Sequence, residues 1–103
     1  LAAWQGALGR RPDAMPPITS TKSMIGHALG AAGAIECVAA VLMLRGRYVH
    51  ASLNCEDVHP EIAPYERSLP HQRRDLPGLR TIAKAGFGFG DVNACVVLRR
   101  WDD

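Results

Sequence analysis

The stretch STKSMIGHALGAAG, Ser20 to Gly33, sets a lysine and a histidine five residues apart, ahead of a run of glycine and alanine. On a helix, residues five apart point about 140° away from each other. Lys22 and His27 can therefore serve one site only if the chain bends between them, with Lys22 on a loop and His27 near a helix start. Gly26 permits such a bend. From about Ala28 to Leu44 the sequence ALGAAGAIECVAAVLML is long enough for a helix and consists mostly of good helix formers. Glu36 is its only charge, and a helix apolar on every side is normally buried inside a larger body of protein. Gly30 and Gly33 would each cost on the order of 1 kcal/mol relative to alanine, so they predict close approach of another backbone.

The chemistry open to these residues follows from their setting. A helix N-terminus carries partial positive charge and free N–H groups, which favour a neutral imidazole. A neutral imidazole can donate its N–H to a developing oxyanion. The plainer reading of the same pair is a surface lysine and a capping histidine. Glu36 would be costly to bury without a partner, and Lys22 is the cation this pattern suggests. Its plainer reading is a residue on one exposed strip of the helix.

Around this core stretch, Leu1 to Leu8 reads as a helix stopped by Gly9 and Pro12. The chain opens in mid-pattern and without Met, which predicts a piece of a longer protein. ITSTK is rich in β-branched residues and follows Pro16-Pro17, so a short strand running into a loop is expected. RGRYVHASL predicts a turn at Gly46 and then a short strand. Asn54 to Gly78, with Pro60, Pro64, Pro70 and Pro77, predicts irregular loop. LRTIAKAGFGFG and NACVVLRRW predict two strands joined by GFGFGD, completing a mixed α/β layer pattern. A chain of 103 residues can form one small domain, but a few short strands can hardly cover a wholly apolar helix. That is a second reason to expect a partial chain.

Several function classes are disfavoured. A formal net charge of +2 is too small to imply nucleic-acid or anionic-membrane binding. No apolar run is read as approaching the roughly twenty residues of a membrane span. Cys37, Cys55 and Cys95 are an odd number, which predicts free thiols in a reducing, cytoplasmic setting. Cys37 and Cys95 read as core and Cys55 as a loop thiol, none of them in the context of a nucleophile. His50, Cys55 and His59 fit no zinc spacing, so no metal is expected. Gly86, Gly88 and Gly90 match part of a dinucleotide fingerprint, but a strand pattern follows where a helix would be needed. AGFGFGD reads better as a tight turn between strands, offering backbone N–H groups beside mobile aromatics.

Taken together, STKSMIGHALGAAGAIE and, about fifty residues on, FGFGDVN closely resemble the C-terminal part of a β-ketoacyl synthase, an elongating condensing enzyme of the thiolase superfamily. The likeness runs from roughly Ile18 to the C-terminus and includes VHASLN, so residues 1–103 are expected to be the C-terminal part of one synthase domain. The resemblance implies a share of a five-layer αβαβα fold, with the apolar helix as one of its two buried helices. It also implies decarboxylative Claisen condensation of an acyl thioester with a malonyl thioester, both carried on the phosphopantetheine of acyl carrier protein, with no other cofactor. By the same resemblance His27 is the histidine that stabilises the malonyl enolate, Lys22 its supporting lysine and Glu36 the acidic partner. Phe89 is the gating phenylalanine, whose N–H joins the oxyanion hole, and Phe87, Gly88 and Gly90 belong to its turn. The nucleophilic cysteine and a first histidine are expected upstream of this segment, which alone should be inactive. Acyl carrier protein, the rest of the synthase and a second ketosynthase copy or subunit are the implied partners.

Asp91 and Val92 depart from the Gly-Thr pair usual in the family's turn. Aspartate accepts positive φ better than most residues, yet lacks glycine's freedom, and valine removes a hydroxyl. Three other readings compete. A non-catalytic subunit resembling a chain-length factor is disfavoured by the presence of both Lys22 and His27. A thiolase would carry a different C-terminal motif, and a nucleotide-binding domain would need other neighbours around its glycines.

Overall fold

The computed structural model describes residues 1–101, and the chain divides into two compact units. The first comprises Leu1–Met24 and Val49–Arg74. It opens with helix α1, Ala2–Leu8, which ends at Gly9 in the left-handed conformation (φ 59°), the usual glycine stop. Pro12 then starts a 3-10 turn, Pro12–Ala14, where its missing N–H is harmless. The expected strand at ITSTK does not form: the segment is extended but has no strand partner. It is held by one backbone bond, Ile18 N–H to Ser68 O at 2.7 Å, and by its hydroxyls, which do the work a ladder would have done. The expected long loop contains a 3-10 helix, Ala63–Ser68. Around it the core gathers Met15, Val49, Tyr65, Leu69 and the enclosed Pro70. Ser68 is buried there and its Oγ donates to Met15 O at 2.9 Å. The Tyr65 hydroxyl donates to Gln5 Oε1, tying α1 to this core.

The second unit comprises Ile25–Tyr48 and the chain from Asp75 onward. Its long helix is α3, Ala32–Gly46; the short turn Lys22–Ile25 before it is α2. The first expected turn of α3 is instead a 3-10 turn, Leu29–Ala31, with Leu29 at φ 47°. At the other end the helix runs through Gly46, where the sequence predicted a turn. The stop is made by Arg47 at φ 53°, whose N–H bonds Met43 O. Two-residue strands follow, β1 (Tyr48–Val49) and β2 (Arg74–Asp75), paired with each other.

The predicted hairpin is present as β3, Thr81–Phe87, and β4, Asn93–Arg99, antiparallel with Thr81 opposite Arg99 and Phe87 opposite Asn93. Alternation puts Ile82, Lys84 and Gly86 on one face of β3, all half-buried, and the strand packs against α3. Arg100, just past β4, donates from Nη1 to Leu44 O at 3.1 Å and closes the C-terminus of α3. Only Ala40, Met43 and Leu44 of α3 are buried, and Val38, Val41 and Leu42 are exposed. The sequence expectation of a helix that this chain cannot cover is therefore met.

Contrary to that reading of run length, Leu29–Gly46 forms an 18-residue stretch apolar enough, at mean hydropathy 1.6, to pass as a membrane span by length and composition. Its packing against β3 and the ion pair at Glu36 are those of a core helix.

Candidate functional site

His27 lies on the loop between α2 and the 3-10 turn that leads into α3. The chain reaches it through Gly26 at φ 73°, so the predicted bend is there and needs a residue without Cβ strain. Lys22, expected on a loop, starts the helical turn α2, whereas His27 stands just ahead of the turn that leads into α3, near the helix start as expected. The imidazole faces solvent, and its Nδ1 accepts the N–H of Leu29 at 3.0 Å. A nitrogen that accepts a backbone N–H keeps its lone pair there, so the proton of the neutral ring sits on Nε2. His27 thus presents one N–H donor outward, with its ring tethered to the same loop.

The segment before it is fixed by hydroxyl chemistry that the sequence reading did not anticipate. Thr19 Oγ1 lies 3.1 Å from His50 Nδ1 and 3.2 Å from Ser52 Oγ. His50 Nδ1 is also 2.9 Å from Ala51 O, which can only accept, so this nitrogen carries the ring proton. Thr19 can then accept from His50 and donate to Ser52. Ser23 Oγ accepts the N–H of Leu53 at 3.0 Å, and Ser20 Oγ accepts that of Lys22 at 3.3 Å. Lys22 is so anchored through its main chain in the first unit. His27, Glu36 and the phenylalanine turn lie in the second. The signal available in the sequence was the concentration of hydroxyls in ITSTKS opposite VHAS.

Glu36 is in the early part of α3, and its Oε2 lies 2.9 Å from Lys84 Nζ, with side-chain exposures of 14% and 16%. The exposed-strip reading of Glu36 is thereby excluded. Lys84 is a cation that sequence reasoning missed as a partner. Strand alternation could have found it, since Lys84 shares the inward face with Ile82 and Gly86. The close backbone approach expected at the helix glycines is not seen within this chain. A Cβ at Gly30 would meet nothing within 4 Å, and one at Gly33 would meet only Lys84 Nζ, at 3.6 Å.

The AGFGFGD turn has the expected form. Gly88 N–H bonds Val92 O at 2.8 Å, leaving Phe89, Gly90 and Asp91 as the connection. Gly90 (φ 76°) and Asp91 (φ 59°) both adopt the left-handed conformation, so aspartate fills the position usually held by glycine. A Cβ at Gly88 would fall 3.1 Å from Val92 O, which accounts for that glycine. Phe87 and Phe89 are 70% and 98% exposed, a large apolar display for so short a turn. The cysteines are free: Cys37 and Cys55 are half-buried, and Cys95, expected in the core, is exposed opposite Ala85 on the outer face of the hairpin. Among the described residues no group of three His, Cys, Asp or Glu could hold a metal.

Residues 1–56 match the sequence family described as beta-ketoacyl synthase, C-terminal domain. The chain is 38% identical over 90 residues to 3-oxoacyl-[acyl-carrier-protein] synthase 1 of Haemophilus influenzae, covering 87% of this chain and 22% of the relative. It is 36% identical over 90 residues to the chloroplastic 3-oxoacyl-[acyl-carrier-protein] synthase II of Arabidopsis thaliana, covering 87% and 16%. A putative polyketide beta-ketoacyl synthase 1 of Streptomyces halstedii is 42% identical over 83 residues, covering 80% and 19%. The chain thus spans about a fifth of the length of these relatives. With the Gly-His loop, the apolar helix and the FGFGD hairpin arranged as described, the chain belongs to the β-ketoacyl synthase family and corresponds to its C-terminal domain.

Proposed function

We propose that this chain is the C-terminal part of a β-ketoacyl-acyl-carrier-protein synthase of fatty-acid or polyketide synthesis, with a five-layer thiolase-like fold completed by residues outside it. The observation that carries the reading is the exposed His27 ring, whose Nδ1 is occupied by Leu29 N–H, which leaves the ring proton to Nε2. Such a donor can hold the thioester oxygen of a malonyl group as charge develops on it. The bond from the α-carbon to the carboxylate breaks, CO₂ leaves, and its electron pair becomes the enolate held by Nε2–H. The enolate carbon then attacks an acyl thioester on a cysteine supplied by another part of the synthase. The carbon–sulfur bond breaks, and the thiolate is released. The family resemblance gives Lys22 the role of supporting His27, and Glu36 balances the charge of Lys84. Phe89 and the turn Phe87–Gly90 gate the acyl site. Acyl carrier protein delivers both substrates in the cytoplasm, and a second ketosynthase subunit completes a dimer.

The experiment is a malonyl-carrier decarboxylation and condensation assay on the full-length protein and its His27→Ala variant. Loss of a single oxyanion donor should lower both rates by about 100-fold while acyl loading persists. A full-length protein that neither loads acyl groups nor decarboxylates malonyl thioesters would instead be a non-catalytic partner subunit.

A further inference from the structure

The pair Lys84–Glu36 joins two pieces of the candidate site that the sequence separates widely. Glu36 is in the early part of α3, which follows the His27 loop, and Lys84 stands three residues before Phe87 on the strand that feeds the aromatic turn. The ammonium is seated with little exposure, 2.9 Å from Glu36 Oε2. Both of its glycine neighbours leave it room. A Cβ at Gly86 would come within 3.0 Å of Nζ and one at Gly33 within 3.6 Å. A methyl at Gly86 would oblige Nζ to give by a few tenths of an ångström, and a larger side chain would compete for its space, because Lys84 and Gly86 share one strand face.

We propose that Lys84 is a positioning residue, whose ion pair with Glu36 fixes the register of the Phe87–Asp91 turn against the helix that follows His27. The consequence for catalysis rests on the synthase reading above; the coupling itself does not. Glu36 is thereby charge-balanced from the sheet side, and a carboxylate so held keeps one orientation toward whatever else it contacts. When the pair is broken, the hairpin keeps its ladder and its apolar contacts with α3 but loses this polar tie to the early part of that helix. The turn then samples more positions, which lowers the fraction of productive geometries without weakening substrate binding.

Amide hydrogen exchange and steady-state kinetics on the full-length protein test this with three variants. Lys84→Met removes the charge. Gly86→Val keeps both charges and puts a branched side chain into the space beside Nζ, and Gly33→Ala leaves the pair in ordinary contact. The first two should speed exchange about tenfold at residues 86–92 and lower kcat about tenfold with KM unchanged, whereas Gly33→Ala should do neither. Unchanged exchange and kcat in both Lys84→Met and Gly86→Val would overturn the positioning role, whatever the activity of the parent. If the parent shows no condensation but exchange rises in both variants, the coupling stands and the synthase reading is the one that fails.

Discussion

Leu29 carries the least comfortable backbone of the site. A leucine at φ 47° pays the steric cost of a left-handed residue, of order 1–2 kcal/mol, and its side chain is mostly exposed, so no packing offsets it. The bond from its N–H to His27 Nδ1 needs no side chain at position 29. Leu29→Gly should therefore raise stability by about 1 kcal/mol and leave the His27 tether in place, read as a shift in the denaturant midpoint at constant m. Ser68 gives the opposite case, since its hydroxyl is buried and serves a buried carbonyl. Ser68→Ala leaves Met15 O without that donor and should destabilise by about 1–2 kcal/mol. A variant within a few tenths of wild type would mean that the carbonyl finds another partner.

Helix α3 shows what was legible from its residues and what was not. Good helix formers and one charge in ALGAAGAIECVAAVLML were enough to place the helix and to predict its apolar surround. Its ends were not legible, because they are decided by contacts from elsewhere. The start is a 3-10 turn bent around the His27 bond, and the finish is secured by Arg47 in the left-handed conformation and by Arg100 from beyond β4. The hairpin was easier: two β-rich runs around GFGFGD suffice, and its register followed once Gly88 and Val92 paired. The partner of Glu36 was missed because ion pairs across α3 and β3 are set by tertiary register, which spacing along one chain does not contain. ITSTK failed as a strand because Thr19 bonds His50 and Ser52, Ser20 accepts the nearby Lys22 N–H, and Ser23 just beyond it accepts that of Leu53. Arg100 makes a direct test of the helix end. Arg100→Ala should cost about 1 kcal/mol and fray the last turn, seen as faster exchange at residues 43–47. Equal protection in the variant would show that Arg47 alone holds the terminus.

The balance of buried and exposed apolar groups speaks to the protein as a body. Among the described residues seven hydrophobic residues are buried, four in the first unit and three in the second, whereas fifteen large hydrophobics are exposed, among them Val38, Val41 and Leu42 of α3, Val96 and Val97 of β4, and both phenylalanines of the turn. Exposed large apolar side chains in such excess over buried ones are what a surface meant for a partner shows. Such a chain gains little hydrophobic stabilisation from folding alone, while its conformational entropy cost is that of any chain of its length. Produced as these 103 residues, it should self-associate, bind a hydrophobic dye and unfold over a broad range. Coexpressed with the remainder of a full-length synthase sequence, it should lose dye binding and join a single cooperative transition. Sedimentation with dye titration and calorimetry separates the two outcomes. A monomer with a sharp, calorimetrically two-state transition and no dye binding would show that the two units are sufficient by themselves, and the five-layer reading would have to be given up.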